Sequence, residues 1–170
     1  HSALMVAALN GHEKTVELLI KAGANHKLKD NSGRSALLLA ATNNHLTVLK
    51  KLLDSAQGGN QVDTNGNGIW HLMAMSDVVD EDNQNGYESE KNEKNNLKLM
   101  QNITSRGFFL DSLNNNGETA LMIAIKRGKV KIIKHLLELG ASRNTITPNG
   151  QSAIKLAEAS GNVEVLKLLK

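Results

Sequence analysis

The feature that most constrains this chain is a unit that recurs along it. In its clearest copy, residues 117–141, an apolar run over 120–125 follows Glu118-Thr119 and is broken at Arg127-Gly128. Ile132, Ile133, Leu136 and Leu137 then recur at helical spacing until Gly140 stops them. This pattern predicts two short helices joined by a turn. Neither is long enough to be stable alone in water, so the unit must pack against copies of itself.

The copies are present. With Gly33, Gly68, Gly117 and Gly150 superposed, the segments GRSALLLA, GIWHLMAM, GETALMIA and GQSAIKLA align, and the chain opens inside the same unit with SALMVAALNGHEKTVELLIKAGAN. Gly33 to Gly68 is a step of 35, Gly68 to Gly117 one of 49, and Gly117 to Gly150 one of 33. The step from Ala7 to Ala40 is again 33.

A base period of about 33 built from two helices and a turn resembles the ankyrin repeat. The family's Thr-Pro-Leu-His-x-Ala segment survives as Ser35-Ala36-Leu37-Leu38-Leu39-Ala40 and Thr119-Ala120-Leu121-Met122-Ile123-Ala124. Its Pro position holds Ala in four repeats and His71 in the other, and its His position holds Met5, Leu38, Met73, Met122 and Lys155. The Gly-His that follows is intact at Gly11-His12 and altered to Asn44-His45, Gly128-Lys129 and Gly161-Asn162. The resemblance implies an all-α repeat solenoid of helix-turn-helix units joined by finger-like β-turn loops, forming one domain over residues 1–170. The repeats are expected at about 1–32, 33–67, 68–116, 117–149 and 150–170. Both end repeats look truncated, which leaves open whether further repeats or another domain flank them.

Composition agrees. Of 170 residues 40 % are apolar, enough for one continuous elongated core, and the 2 % aromatic content suits helices packed through Ala and Leu. The net charge is +3 and there is no cysteine, which excludes disulfides and thiolate chemistry. No apolar run is long enough to span a membrane. A cytoplasmic location is expected, or the host-cell cytosol for a secreted effector, with the nucleus as a further option.

Repeat three departs from the others. In the glycine alignment Trp70 replaces the hydroxyl residue that caps the first helix, and Met75 takes the place of a small alanine. A polar insertion, at about 77–96, interrupts the turn between its helices. It reads as a tolerated loop or as a recruitment segment, with its second helix resuming near Leu97. The exit of repeat two, SAQGGN, reads as two residues longer than the AGAN of repeat one, which accounts for the step of 35.

No catalytic, cofactor or metal site emerges. The histidines share no ligand spacing, and His135 with Glu138 lacks a third ligand. Phosphate-binding glycine motifs are absent, and the Ser, His and Asp residues lack an orienting context. His12 and His45 occupy the turn position where, by the resemblance, a histidine braces adjacent loops. The chain is therefore expected not to be an enzyme, and to need no cofactor. Nucleic acid is disfavoured, because the charge is small and the basic residues are not interleaved with aromatics.

Binding remains. The resemblance implies that a protein or peptide partner docks on the concave side, lined by the first helices and the fingers. Candidate contacts are Arg34, Thr42, Asn43, Trp70, Met73, Lys126, Arg127 and Arg143, and the basic residues suit an acidic or amphipathic ligand met by a monomer. Trp70 is open to two readings, an exposed anchor or a filler near the finger base; Met73 reads first as core. The alternative to a free-standing scaffold is a targeting or substrate-recruiting domain of a larger enzyme or bacterial effector whose catalytic part lies elsewhere.

Overall fold

The computed structural model describes residues 1–55, 60–76 and 86–170, the side chains of residues 86–94 excepted. Among the described residues ten helices form five successive pairs. They are α1 (Ala3–Leu9) with α2 (Glu13–Lys21), α3 (Ala36–Thr42) with α4 (Leu46–Ser55), α5 (Ile69–Met75) with α6 (Gly86–Ser105), α7 (Ala120–Lys126) with α8 (Val130–Glu138), and α9 (Ala153–Ser160) with α10 (Val163–Leu169). The first helices form one inner row in which α1, α3, α5, α7 and α9 each pack on the next. The second helices lie behind, where α2 meets α4, α4 meets α6 and α8 meets α10.

The inner helices are only seven or eight residues long, too short to persist without neighbours. Caps and packing hold them. Ser2, Ser35, Thr119 and Ser152 each accept, through the side-chain oxygen, the N–H three residues on. Ala7, Ala8, Ala40, Ala41, Ala74, Ala124 and Ala157 are buried, and their small side chains let backbones approach closely. The outer helices add a seam facing the stack, such as Val48, Leu49, Leu52 and Leu53 of α4 or Ile133 and Leu136 of α8.

The finger turns fix the true register of the repeats. Asp30, Asp63, Asn114 and Thr147 each accept, through a side-chain oxygen, the backbone N–H four residues on, at 2.8–3.0 Å. Their carbonyls accept from Gly33, Gly66, Gly117 and Gly150, all at positive φ. Asp30 to Asp63 is a step of 33, Asp63 to Asn114 one of 51, and Asn114 to Thr147 one of 33. Gly33 therefore corresponds to Gly66 and not to Gly68, which corrects the glycine alignment by two residues. No lengthening of repeat two is needed, and the whole excess over the base period falls in repeat three.

Three expectations change with this shift. Gly68, not Trp70, occupies the capping position held elsewhere by Ser or Thr. His71 compensates in part, because its Nδ1 accepts the Gly68 N–H at 3.2 Å. Met73, not Met75, stands at the alanine position of Ala40 and Ala124. Trp70 shares the position of Leu37 and Leu121, both of which are core.

The insertion is also not wholly a loop. Helix α6 begins at Gly86, well before Leu97, so the latter part of the segment expected as loop is helical. Its Glu and Lys residues are good helix formers, which an argument from low hydrophobicity overlooks. The remainder, residues 77–85, lies outside the described residues. The end of α6 is tied to the stack by buried Met100 and Ile103 and by Arg106. The Arg106 guanidinium donates to the Leu53 carbonyl at 3.0 Å and pairs with Asp54.

Candidate partner-binding surface

Trp70 and Met73, expected as partner contacts, are in the core. Each is 2 % exposed. The Trp70 indole N–H donates to the Phe108 carbonyl at 3.1 Å, anchoring the inner helix to the exit of α6. The ring therefore fills the interior of repeat three and is not an exposed anchor.

Arg34, Thr42 and Asn43 are partly buried and engaged within the chain. Arg34 pairs with Asp30 at 2.9 Å across its own finger turn. The Thr42 hydroxyl donates to the Leu38 carbonyl at 3.0 Å. Asn43 Nδ2 donates to the Leu9 carbonyl at 2.7 Å, and His45 Nε2 lies 3.1 Å from the same oxygen. These two side chains brace repeat two against repeat one. His12, in the corresponding place, is exposed.

Lys126, Arg127 and Arg143 are exposed. Lys126 ends α7 and its ammonium pairs with Glu118 on the finger before it. Burial raises the Glu118 carboxyl, but the Lys126 ammonium and the Asn114 and Asn116 amides outweigh this and hold it below its ordinary range. The Arg127 guanidinium donates to the Met75 carbonyl at 2.7 Å, bridging repeats four and three. These cations thus carry structural bonds while still presenting charge at the end of α7.

His71 is the buried titratable group of the inner row. It is fully enclosed, and its Nε2 lies 3.0 Å from the Glu118 carbonyl of the next finger. With Nδ1 accepting from Gly68, Nε2 carries the proton and donates to Glu118. Burial pushes its pKa below the usual histidine value, although the Glu118 bond opposes this.

A feature that the sequence reading missed lies along the fingers. The residues just before Asp63, Asn114 and Thr147 are Val62, Leu113 and Ile146, exposed by 39 %, 49 % and 62 %. Lys29 stands in the same place before Asp30 and is also exposed. The signal was present as an apolar residue recurring one place before the turn, but it is visible only once the register is correct.

Among the described residues no three His, Cys, Asp or Glu side chains form a metal-binding group, and no helix is long and apolar enough to cross a membrane. A stack of capped helix pairs with projecting fingers defines a helical repeat solenoid, the class of fold that offers an extended surface instead of an enclosed cleft. The family model described as ankyrin repeats, in three copies, matches residues 1–78 and 90–170, and the chain belongs to the ankyrin-repeat family. Ankyrin repeats are in general protein–protein interaction modules. The chain is also similar to potassium channel AKT2/3 of Arabidopsis thaliana, with 28 % identity over 122 residues. That match takes in 72 % of this chain and 13 % of the channel's length.

Proposed function

We propose that this domain binds a protein or peptide partner on its concave face, with the end of α7 as the charged part of the contact. The observation that carries the reading is the exposure of Lys126 and Arg127 at the end of the inner helix of repeat four, with Arg143 exposed on the exit toward the next finger. Cations in this position favour a partner of acidic or amphipathic character, acting mainly on association rate and selectivity. The bonds to Glu118 and Met75 hold these side chains in place before binding, which lowers the ordering cost of a contact.

The test is titration of Lys126→Glu with Arg127→Glu against a partner captured from the source cell. Weaker binding, with a reduced salt dependence, is expected. Wild-type dissociation constants at both low and physiological salt would move the site elsewhere. Lys126→Ala serves as a control, because Glu at 126 would also repel Glu118.

A second reading makes the domain a recruiting or targeting part of a larger protein. The likeness to a channel of which it spans 13 % favours this. The readings are compatible, since a recruiting domain would use the same surface. The length of the parent polypeptide, measured by intact mass from the source, separates a free-standing module from an appended one.

A further inference from the structure

We infer that Asn149 is a self-modifying site, where the Asn149-Gly150 pair deamidates through a cyclic imide faster than the other Asn-Gly pairs among the described residues. The site is independent of where a partner binds and makes no use of Lys126 or Arg127.

An asparagine followed by glycine is open to attack by its own backbone, because glycine has no Cβ to shield its nitrogen. The glycine amide gives its proton to hydroxide. Its nitrogen then bonds to the asparagine Cγ, and the side-chain nitrogen leaves as ammonia with a proton from water. Water opens the cyclic imide. Breaking the new bond at Cγ gives aspartate, and breaking the original peptide bond gives isoaspartate, with the chain running through the side-chain carbon. Either product carries a negative charge where the amide had none.

The fold decides which pair reacts. Five such pairs lie among the described residues, with asparagines at 10, 65, 67, 116 and 149. Asn85-Gly86 begins outside them. The glycine must swing its nitrogen toward Cγ, so a glycine wedged beneath a neighbouring repeat is held back. Gly11 lies against the His45 ring, Gly66 against Asn115 and Gly117 against the Pro148 ring. Gly68 is buried, and its N–H donates to His71 Nδ1 at 3.2 Å. Gly150 is exposed, and the space a Cβ would take there has no neighbour within 4 Å.

The asparagine side chains sort the same way. The Asn10 amide donates to the Val6 carbonyl at 2.9 Å, and the buried Asn67 amide is held between Asp63 and Asn114. The Asn116 amide stabilises the Glu118 carboxylate. Asn65 is exposed, but its carbonyl accepts the Asn115 N–H of the next finger at 2.9 Å. Asn149 is exposed at a finger tip, and among the described residues no hydrogen bond holds its side chain.

Reaction at Asn149 breaks one turn bond, from the Gly150 N–H to the Thr147 carbonyl at 2.8 Å. At Gly66 and Gly117 the same bond and the packing of the next finger must both give. Isoaspartate would also lengthen the turn that the Thr147 hydroxyl closes on the Gln151 N–H.

The test is peptide mapping by mass spectrometry of the whole chain, aged in mildly alkaline buffer with and without urea. In the folded chain, aspartate plus isoaspartate should accumulate at Asn149 at least about ten-fold faster than at Asn10, Asn65, Asn67 or Asn116. In urea, where no repeat covers any glycine, that advantage should vanish. Equal rates in the folded chain overturn the inference, as does faster conversion at Asn65 or Asn116. So does an advantage at Asn149 that survives in urea, since the local sequence and not the fold would then set it. Aspartate formed without isoaspartate overturns the cyclic route.

Discussion

His71 Nε2 and the Glu118 carbonyl, 3.0 Å apart, join the inner helix of repeat three to the finger of repeat four across the insertion, 47 residues apart in sequence. The bond requires a neutral imidazole with its other nitrogen free to accept from Gly68. Burial lowers the folded-state pKa of His71. Between the unfolded and folded pKa values the unfolded chain binds the proton and the native one does not. Stability from this site is therefore full above about pH 6.5, the usual unfolded value. It declines as pH falls toward the folded pKa and levels off below it. Urea midpoints from pH 8 to pH 5 should show this decline in the wild type and a shallower one in His71→Leu, which installs the residue that repeat two carries at Leu38. An equally steep decline in the variant would exclude His71 as its source.

Trp70 is a core residue, and it should behave as one. Trp70→Phe keeps most of the ring but removes the donor to Phe108, and should cost about 1 kcal/mol. Trp70→Ala should cost about 3–5 kcal/mol through lost burial and a cavity. Because Trp70 is the only tryptophan, its emission reports repeat three directly, and a shift to longer wavelength on unfolding is expected. An emission maximum that does not move between native and denatured protein would contradict the burial.

Pro148 sits where the two preceding fingers carry a donor. Thr64 N–H reaches the Ser32 carbonyl and Asn115 N–H reaches the Asn65 carbonyl, each at 2.9 Å. Proline has no N–H, so the next rung toward Asn116 cannot form. Instead the ring packs on Gly117, where any Cβ would overlap it. In Pro148→Asn the new amide should become protected from hydrogen exchange, as at Thr64 and Asn115. Net stability should change by less than about 1 kcal/mol, because the added bond is offset by the freer unfolded chain. Fast exchange of residue 148 in the variant would show that this junction is held apart by something other than the missing donor.

Leu136 of α8 is 1 % exposed, whereas Leu18 of α2 is 67 % exposed. Leu136→Ala should cost about 2–4 kcal/mol by denaturant titration. Leu18→Ala should stay within about 0.5 kcal/mol. Similar losses at both sites would mean that the outer helices face the stack differently.

The sequence by itself determined the class of fold, because helical spacing, capping hydroxyls and glycine stops recur within a local window that a reader can count. It also located the irregular unit and the cationic end of α7. It left two residues of register undecided, since Asn65-Gly66-Asn67-Gly68 offers two glycines that locally look alike. Only the tertiary structure chose between them. The choice lies in the Asp63 side chain closing on Asn67 and in the packing of Gly66 beneath Asn115, a residue of the next finger, far away in sequence. That choice in turn sent Trp70 inward, gave His71 its partner, and lined up Val62, Leu113 and Ile146 on one edge. The contacts of Gly66 with Asn115 and of His71 with Glu118 join residues of different repeats, and the Trp70 bond to Phe108 spans the insertion within repeat three. Helical periodicity carries no information about which distant atom completes a turn or covers a ring.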